Sequence, residues 1–86
     1  MKVKVVISGR SYQTAQSIPD ELALPDRCSV DEALRRLAEL LPPGRKLPES
    51  CLVAVSGAHL GTLRSHAPRE LEEGDELVVI APVAGG

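Results

Sequence analysis

The chain has 86 residues, of which 43% are hydrophobic and 26% charged, a balance typical of one soluble domain with a single core. Ten basic and twelve acidic residues leave a formal net charge of −2, which argues against nucleic acid or an anionic membrane as the main partner. No apolar run approaches the ~18 to 20 residues that cross a bilayer, and no signal peptide is recognisable, so a cytoplasmic protein is expected. A domain of this size leaves little interior for a catalytic cleft, which favours a carrier or binding module over an enzyme acting alone.

The first predicted element is a half-buried strand, because residues 2–7 alternate between two faces. One face carries Val3, Val5 and Ile7, and the other Lys2, Lys4 and Val6. Turn-forming residues follow at 8–11, and a second extended segment ends at residues 21–24, before Pro25. The stretch from Tyr12 to Asp20 shows no clear period, and Tyr12 to Pro19 is interpreted as a long loop.

A helix is predicted after Ser29, which forms a capping box with Glu32: the Ser hydroxyl accepts from the Glu amide and the Glu carboxylate reaches back to the cap. The apolar stripe with helical period is Val30, Ala33, Leu34, Leu37, Ala38 and Leu41. Two acid–base pairs are expected four residues apart, Asp31 with Arg35 and Glu32 with Arg36. The helix is expected to end before the Pro-Pro-Gly of residues 42–44.

Three more extended segments follow, at residues 51–55, 60–63 and 77–81, and the last two are separated by a tight turn at residues 72–76. One helix packed across a mixed sheet buries the single apolar stripe, which predicts an α+β fold of the β-grasp kind with four or five strands. In that fold the first and last strands lie together at the sheet centre. Because residues 77–81 are almost all apolar, Val78 and Ile80 are hypothesised to face away from the helix and to need a partner to cover them.

The cysteines and histidines carry no predicted chemistry. Cys28 and Cys51 are 23 residues apart with no Cys-x-x-Cys spacing, and they are interpreted as reduced, buried filler residues. His59 and His66 have no carboxylate or cysteine at ligand spacing and are expected on the surface, so no metal site is predicted. The five acidic residues among positions 70–76 are interpreted as solvated, with docking to a basic partner near the root of the C-terminal tail as the alternative.

The end of the sequence is the candidate site. Residues 1–81 are assigned to the β-grasp domain and residues 82–86 to a flexible extended tail, Pro82-Val83-Ala84-Gly85-Gly86. Such small residues thread readily through a narrow channel and would place the Gly86 carboxylate in another protein's active site. A carboxylate requires activation, normally as an acyl-adenylate, and the chain has no phosphate loop, so the ATP is expected to be used by a partner.

Three features together resemble the small, sulfur-carrying subunit of molybdopterin synthase. They are the order of elements, the turn Leu71-Glu72-Glu73-Gly74-Asp75-Glu76-Leu77, and the ending Ala81-Pro82-Val83-Ala84-Gly85-Gly86. The resemblance implies that a ubiquitin-activating-like adenylyltransferase adenylates Gly86 and that a sulfurtransferase, as persulfide donor, converts it to a thiocarboxylate. The tail would then enter the large catalytic subunit of molybdopterin synthase and give its sulfur to the pterin precursor, with no cofactor or metal bound by this chain.

Three alternatives remain open on the sequence. The chain resembles the thiazole-pathway carrier of thiamine synthesis in its expected fold and its Gly-Gly ending. The same activated Gly86 could be joined to lysines, as in a ubiquitin-like protein modifier. A non-covalent β-grasp adaptor with an incidental tail is the third reading.

Overall fold

The computed structural model describes residues 1–8, 20–41 and 47–80. In chain order its elements are β1 (Lys2–Ser8), β2 (Glu21–Ala23), α1 (Val30–Leu40), β3 (Leu52–Val55), β4 (Ala58–Thr62) and β5 (Glu76–Ile80). The strands form one mixed sheet in the order β2-β1-β5-β3-β4. This confirms the predicted α+β fold of the β-grasp kind, at the upper end of the expected strand number.

The centre of the sheet is the parallel pair of β1 and β5, as predicted. Val5 lies opposite Leu77 and Ile7 opposite Val79, whereas β2 and β3 flank this pair in antiparallel orientation. The nearly continuous apolar run of residues 77–80 lies in this central strand.

The core lies between the sheet and α1. The helix contributes Val30, Ala33 and Leu37, and the central strands contribute Val3, Val53, Val55, Leu77 and Val79, all at most 1% exposed. Each fully buried Val or Leu side chain contributes about 1.5–3 kcal/mol, so aliphatic residues alone can form this core. We call the face of the sheet that is covered by α1 the inner face.

Of the two hydrogen bonds in the predicted capping box of α1, one is confirmed. The Ser29 hydroxyl accepts from the Glu32 amide at 3.2 Å, but the Glu32 carboxylate accepts from the Cys28 thiol at 3.6 Å rather than from the cap amide. At the other end, the Leu41 amide donates to the Ala38 carbonyl at 3.3 Å.

Three details of the helix differ from the sequence prediction. Ala38 is exposed and Leu34 only half-buried, because α1 turns these positions towards the edge of its buried stripe. Among the described ion pairs, Asp31 contacts His66 and not Arg35, since a histidine brought close by the fold occupies the carboxylate. Glu32 contacts Cys28 and not Arg36.

The hairpin between β3 and β4 is tighter than expected, because β4 begins at Ala58. Ser56 and Gly57 alone connect the strands, with φ values of 47° and 87°. Two consecutive left-handed residues favour the right-handed twist of a two-residue hairpin, and glycine adopts this conformation without strain.

Several predicted features lie outside the described residues. They are the Tyr12 to Pro19 loop, the helix stop at residues 42–44, and residues 81–86 with the predicted domain boundary and tail. Within the described ranges, no helix has the length and apolar character that crossing a membrane requires.

Candidate functional site at the end of β5

The candidate site begins at Ile80, the last described residue before the predicted tail. Ile80 ends β5 at the centre of the sheet, opposite Ser8 of β1 and Leu52 of β3. Six residues follow it in the sequence, and a fully extended chain of that length reaches about 20 Å. Gly86 and the tail residues Pro82, Val83, Ala84 and Gly85 lie outside the described residues, so their assignment as the site stays a prediction.

The outer face of the sheet, opposite α1, carries an exposed apolar surface that leads to Ile80. Val6 lies opposite Val78, which lies opposite Ala54, and Ile80 lies opposite Leu52. Val6, Leu52 and Ile80 are 42%, 39% and 39% exposed, although apolar side chains of this size usually become buried. We call these five residues the outer patch.

The hypothesis that Val78 and Ile80 face away from the helix is confirmed. Their neighbours Leu77 and Val79 are fully buried, and successive strand residues point to opposite faces. Three members of the outer patch, Leu52, Ala54 and Val6, were not expected to meet them. Cross-strand register brings them together, and a single run of sequence does not contain that information.

The acidic turn lies at the opposite end of β5. Glu76 begins the strand and Ile80 ends it, and four residue steps of about 3.3 Å separate the two by about 13 Å. The alternative that these acids dock a partner close to the tail root stays a prediction, with the turn and Ile80 at opposite ends of β5. Glu70, Glu72, Glu73 and Glu76 are all exposed, as the solvated interpretation expects.

Asp75 organises that turn. Its carboxylate accepts from the Glu72 amide at 2.8 Å and from the Ser56 hydroxyl at 2.8 Å. The backbone hydrogen bond from Glu72, with a smaller contribution from Ser56, lowers the pKa of Asp75 below its ordinary value despite partial burial. Gly74 adopts a φ of 84° in the same turn, which glycine tolerates without a steric cost.

At the end of the sheet that contains Ile80, and two strands away from it, lies a polar recess. Its volume is about 490 Å³, and the described residues that line it are Glu49, Ser50, Thr62 and Arg64. Thr62 lies opposite Leu52, the strand neighbour of Ile80. The recess and the outer patch therefore share the edge of the sheet at which β5 ends.

Both cysteines are buried and neither forms a disulfide, as predicted. Cys28 is 2% exposed and Cys51 fully buried. Burial, followed by the hydrogen bond to the Glu32 carboxylate and its charge, raises the pKa of Cys28 above its ordinary value. Because the thiolate is the reactive form, this environment makes Cys28 a poor nucleophile.

The two histidines differ, and the surface prediction is wrong for one of them. His59 is exposed in β4. The His66 side chain is only 8% exposed, and its ring contacts the Thr62 carbonyl through Nδ1 at 2.8 Å and Asp31 Oδ1 through Nε2 at 2.6 Å. Asp31 and His66 are 35 residues apart in sequence, so no spacing rule indicates the pair. The described residues contain no group of three His, Cys, Asp or Glu side chains suited to a metal ion.

Comparison with known proteins agrees with this architecture. The fold is similar to the crystal structure of SAMP1 from Haloferax volcanii, with a TM-score of 0.74 over 100% of both chains at 18% sequence identity. At that identity the similarity demonstrates a shared fold. No curated protein matches the chain. Residues 5–86 match the ThiS family, nearly the whole sequence including the Gly-Gly ending. The chain therefore belongs to the ThiS family and is a ubiquitin-like sulfur carrier.

Proposed function

We propose that this ThiS-family protein carries sulfur as a thiocarboxylate on Gly86 and donates it in molybdopterin biosynthesis, as the small subunit of molybdopterin synthase. The observation that supports this most is the outer patch, which leads directly to the strand end that precedes the Gly-Gly sequence. The domain thus offers a docking surface and an attached carboxylate together. ThiS-family carriers work with partner enzymes, and this arrangement suits such a division of labour.

The chemistry proceeds on partner proteins. A Gly86 carboxylate oxygen attacks the α-phosphate of ATP in a ubiquitin-activating-like adenylyltransferase, and pyrophosphate leaves. The terminal sulfur of a sulfurtransferase persulfide then attacks the acyl carbon, and AMP leaves. A second thiol reduces the resulting acyl disulfide, which releases the thiocarboxylate and leaves a disulfide on the donor. The carrier supplies only the acyl group and binds no cofactor.

The outer patch is proposed to contact the partner that receives the tail. The six residues after Ile80 reach at most about 20 Å, so an enzyme that binds Gly86 must lie against this end of the sheet. The patch occupies that end, and its row of Ile80 and Leu52 lies closest to the tail. Covering these side chains removes exposed apolar surface from water, which contributes about 25 cal/mol per Å² of gross binding energy.

The two thiols fit a carrier whose sulfur is on the terminus. Cys28 and Cys51 are buried, and the raised pKa of Cys28 disfavours its thiolate, so neither is proposed to carry the transferred sulfur. Cysteines without a disulfide also suit a reducing compartment, and we place the protein in the cytoplasm.

The test is intact-mass measurement of the protein isolated from cells that are making the cofactor. The expected result is a species in which sulfur replaces one oxygen, lost when Gly86 is deleted while unfolding behaviour is unchanged. Transfer to the large subunit of molybdopterin synthase should then yield product. A terminus without sulfur in such cells would contradict carriage, and a thiocarboxylate that supports thiazole formation but not molybdopterin formation would contradict the pathway. Lysine-linked conjugates that disappear on the same deletion would instead indicate a protein modifier.

A further inference from the structure

The unexplained feature of the described residues is the His66 ring, whose side chain is 8% exposed and lies between two oxygen atoms. Nδ1 lies 2.8 Å from the Thr62 carbonyl oxygen and Nε2 lies 2.6 Å from Asp31 Oδ1. A carbonyl oxygen and an ionised carboxylate only accept hydrogen bonds. Both contacts are therefore satisfied together when both ring nitrogens carry a proton.

A neutral ring satisfies only one of the two contacts. The tautomer with a proton on Nδ1 donates to Thr62 but turns a nitrogen lone pair towards the Asp31 oxygen. The other tautomer donates to Asp31 and opposes the Thr62 carbonyl. Removing either proton replaces a donated hydrogen bond by a lone pair that faces an acceptor oxygen, so it weakens the attachment of the ring whichever nitrogen loses it.

The ring joins two separate parts of the fold. Asp31 lies in the first turn of α1. His66 belongs to residues 61–67, which begin at the end of β4 and turn back so that His66 lies opposite Gly61. We call residues 61–67 the β4 arm. The arm is closed by hydrogen bonds from the Thr62 amide to Ser65 at 2.8 Å and from the Ala67 amide to Leu60 at 2.9 Å. Gly61 allows this closure, because a Cβ there would lie 2.5 Å from the Ser65 carbonyl oxygen.

The β4 arm also forms part of the polar recess. Thr62 and Arg64 of the arm line this recess together with Glu49 and Ser50.

We propose that His66 is a proton-dependent latch, which fastens the β4 arm to the start of α1 when the ring carries both protons and holds it less firmly when the ring carries one. The Leu63 and Arg64 amides keep the arm attached to the Cys51 and Glu49 carbonyls in both states. Histidine suits this role, since its charge changes between about pH 5 and pH 8. Asp31 is the charged group in hydrogen-bond contact with the ring. The other charges on α1 are Glu32, Arg35, Arg36 and Glu39. Arg64 lies on the arm, and Arg69 follows it, with its carbonyl accepting from the Val30 amide. The latch does not depend on the sulfur-carrier proposal.

The test is amide hydrogen exchange measured from about pH 5 to pH 8. Each exchange rate is divided by the intrinsic rate of that amide at the same pH. The NMR chemical shifts of the His66 ring nitrogens are recorded in parallel. In the wild-type protein, protection of the Thr62 and Ala67 amides should fall about three- to tenfold as the ring loses a proton, since an exposed charged partner makes the contact worth less than a buried one. Protection in the β1–β5 ladder should not change.

Two variants separate the latch from a general effect of pH. His66→Gln should remove the pH dependence of arm protection. Asp31→Asn should remove it as well, because the Asn amide can donate to the unprotonated Nε2 while Nδ1 continues to donate to Thr62. His59→Gln, which changes the exposed histidine of β4, should leave the response unchanged.

Unchanged arm protection while the His66 ring titrates would overturn the latch. An equal fall in His66→Gln would do the same, since the pH response would then come from another group. A full response in Asp31→Asn would overturn the assignment of the carboxylate partner.

Discussion

The two faces of β5 carry similar apolar residues in different surroundings. On β5, Leu77 and Val79 point to the inner face and are fully buried, while Val78 and Ile80 point to the outer face, where Ile80 is 39% exposed. Apolar side chains on the inner face contribute to folding, because α1 removes them from water. Those on the outer face contribute far less to folding and remain available for binding. An apolar side chain on this sheet therefore indicates a binding surface only once it is known which face the helix covers.

The largest effect should come from truncating the inner face. Leu77→Ala removes a side chain that has no exposed surface and leaves a cavity, so we expect a loss of about 2–5 kcal/mol in the free energy of unfolding. Urea denaturation followed by circular dichroism measures it. A loss below about 1 kcal/mol would mean that the two faces do not differ in the way described.

The outer face should show the opposite behaviour. Ile80→Thr keeps a β-branched residue at the end of β5 and shortens the apolar surface next to the tail. We expect stability within about 1 kcal/mol of the wild type and formation of the thiocarboxylate about tenfold slower, equivalent to a loss of about 1.4 kcal/mol in docking. Time-resolved intact mass with the activating enzyme and sulfur donor measures the rate.

A matched control for this variant is on the helix. Leu40 is 40% exposed but lies on α1, which covers the inner face, so Leu40→Gln should load at the wild-type rate. Equal slowing of both variants would indicate a general effect of lost surface hydrophobicity and would contradict docking through the outer patch.

Much of the fold follows from local sequence signals. The alternation in β1, the cap at Ser29 and the apolar run of β5 each predict an element that the structure contains, because they depend on residues close in sequence. The burial of both cysteines follows in the same way. These signals also place Val78 and Ile80 opposite the helix, since a strand with Leu77 and Val79 inside has only one other face.

The parts that were missed depend on contacts between distant residues. His66 was expected on the surface, but its partner Asp31 belongs to a different element. Val6 and Leu52 join the outer patch through strand register. Pairing between strands is decided by the fold as a whole, and a pass along the chain does not contain it.

A smaller effect is expected from weakening α1, the helix that covers the inner face. Ser29→Ala removes the hydroxyl that accepts from the Glu32 amide, so α1 should lose about 1 kcal/mol of stability. The loss should appear in the free energy of unfolding, with no change in the rate at which sulfur is loaded. Ser29→Asp should restore most of the loss, since aspartate is also a good cap, and failure of that rescue would argue against the cap as the cause.

The smallest effect concerns the turn that positions β5, and it depends on pH. The backbone hydrogen bond from Glu72 lowers the folded-state pKa of Asp75, so the carboxylate stabilises the protein above the unfolded-state pKa, and this contribution is lost as the pH falls through the lower folded-state value. Asp75→Asn should therefore cost less than about 1 kcal/mol near neutral pH, and the difference from the wild type should shrink below about pH 4. Urea denaturation at a series of pH values measures it, with Glu70→Gln as the control for an exposed carboxylate beside the turn. A difference that stays constant with pH would show that Asp75 acts through its shape alone, because only the charged form receives the additional stabilisation from the Glu72 amide.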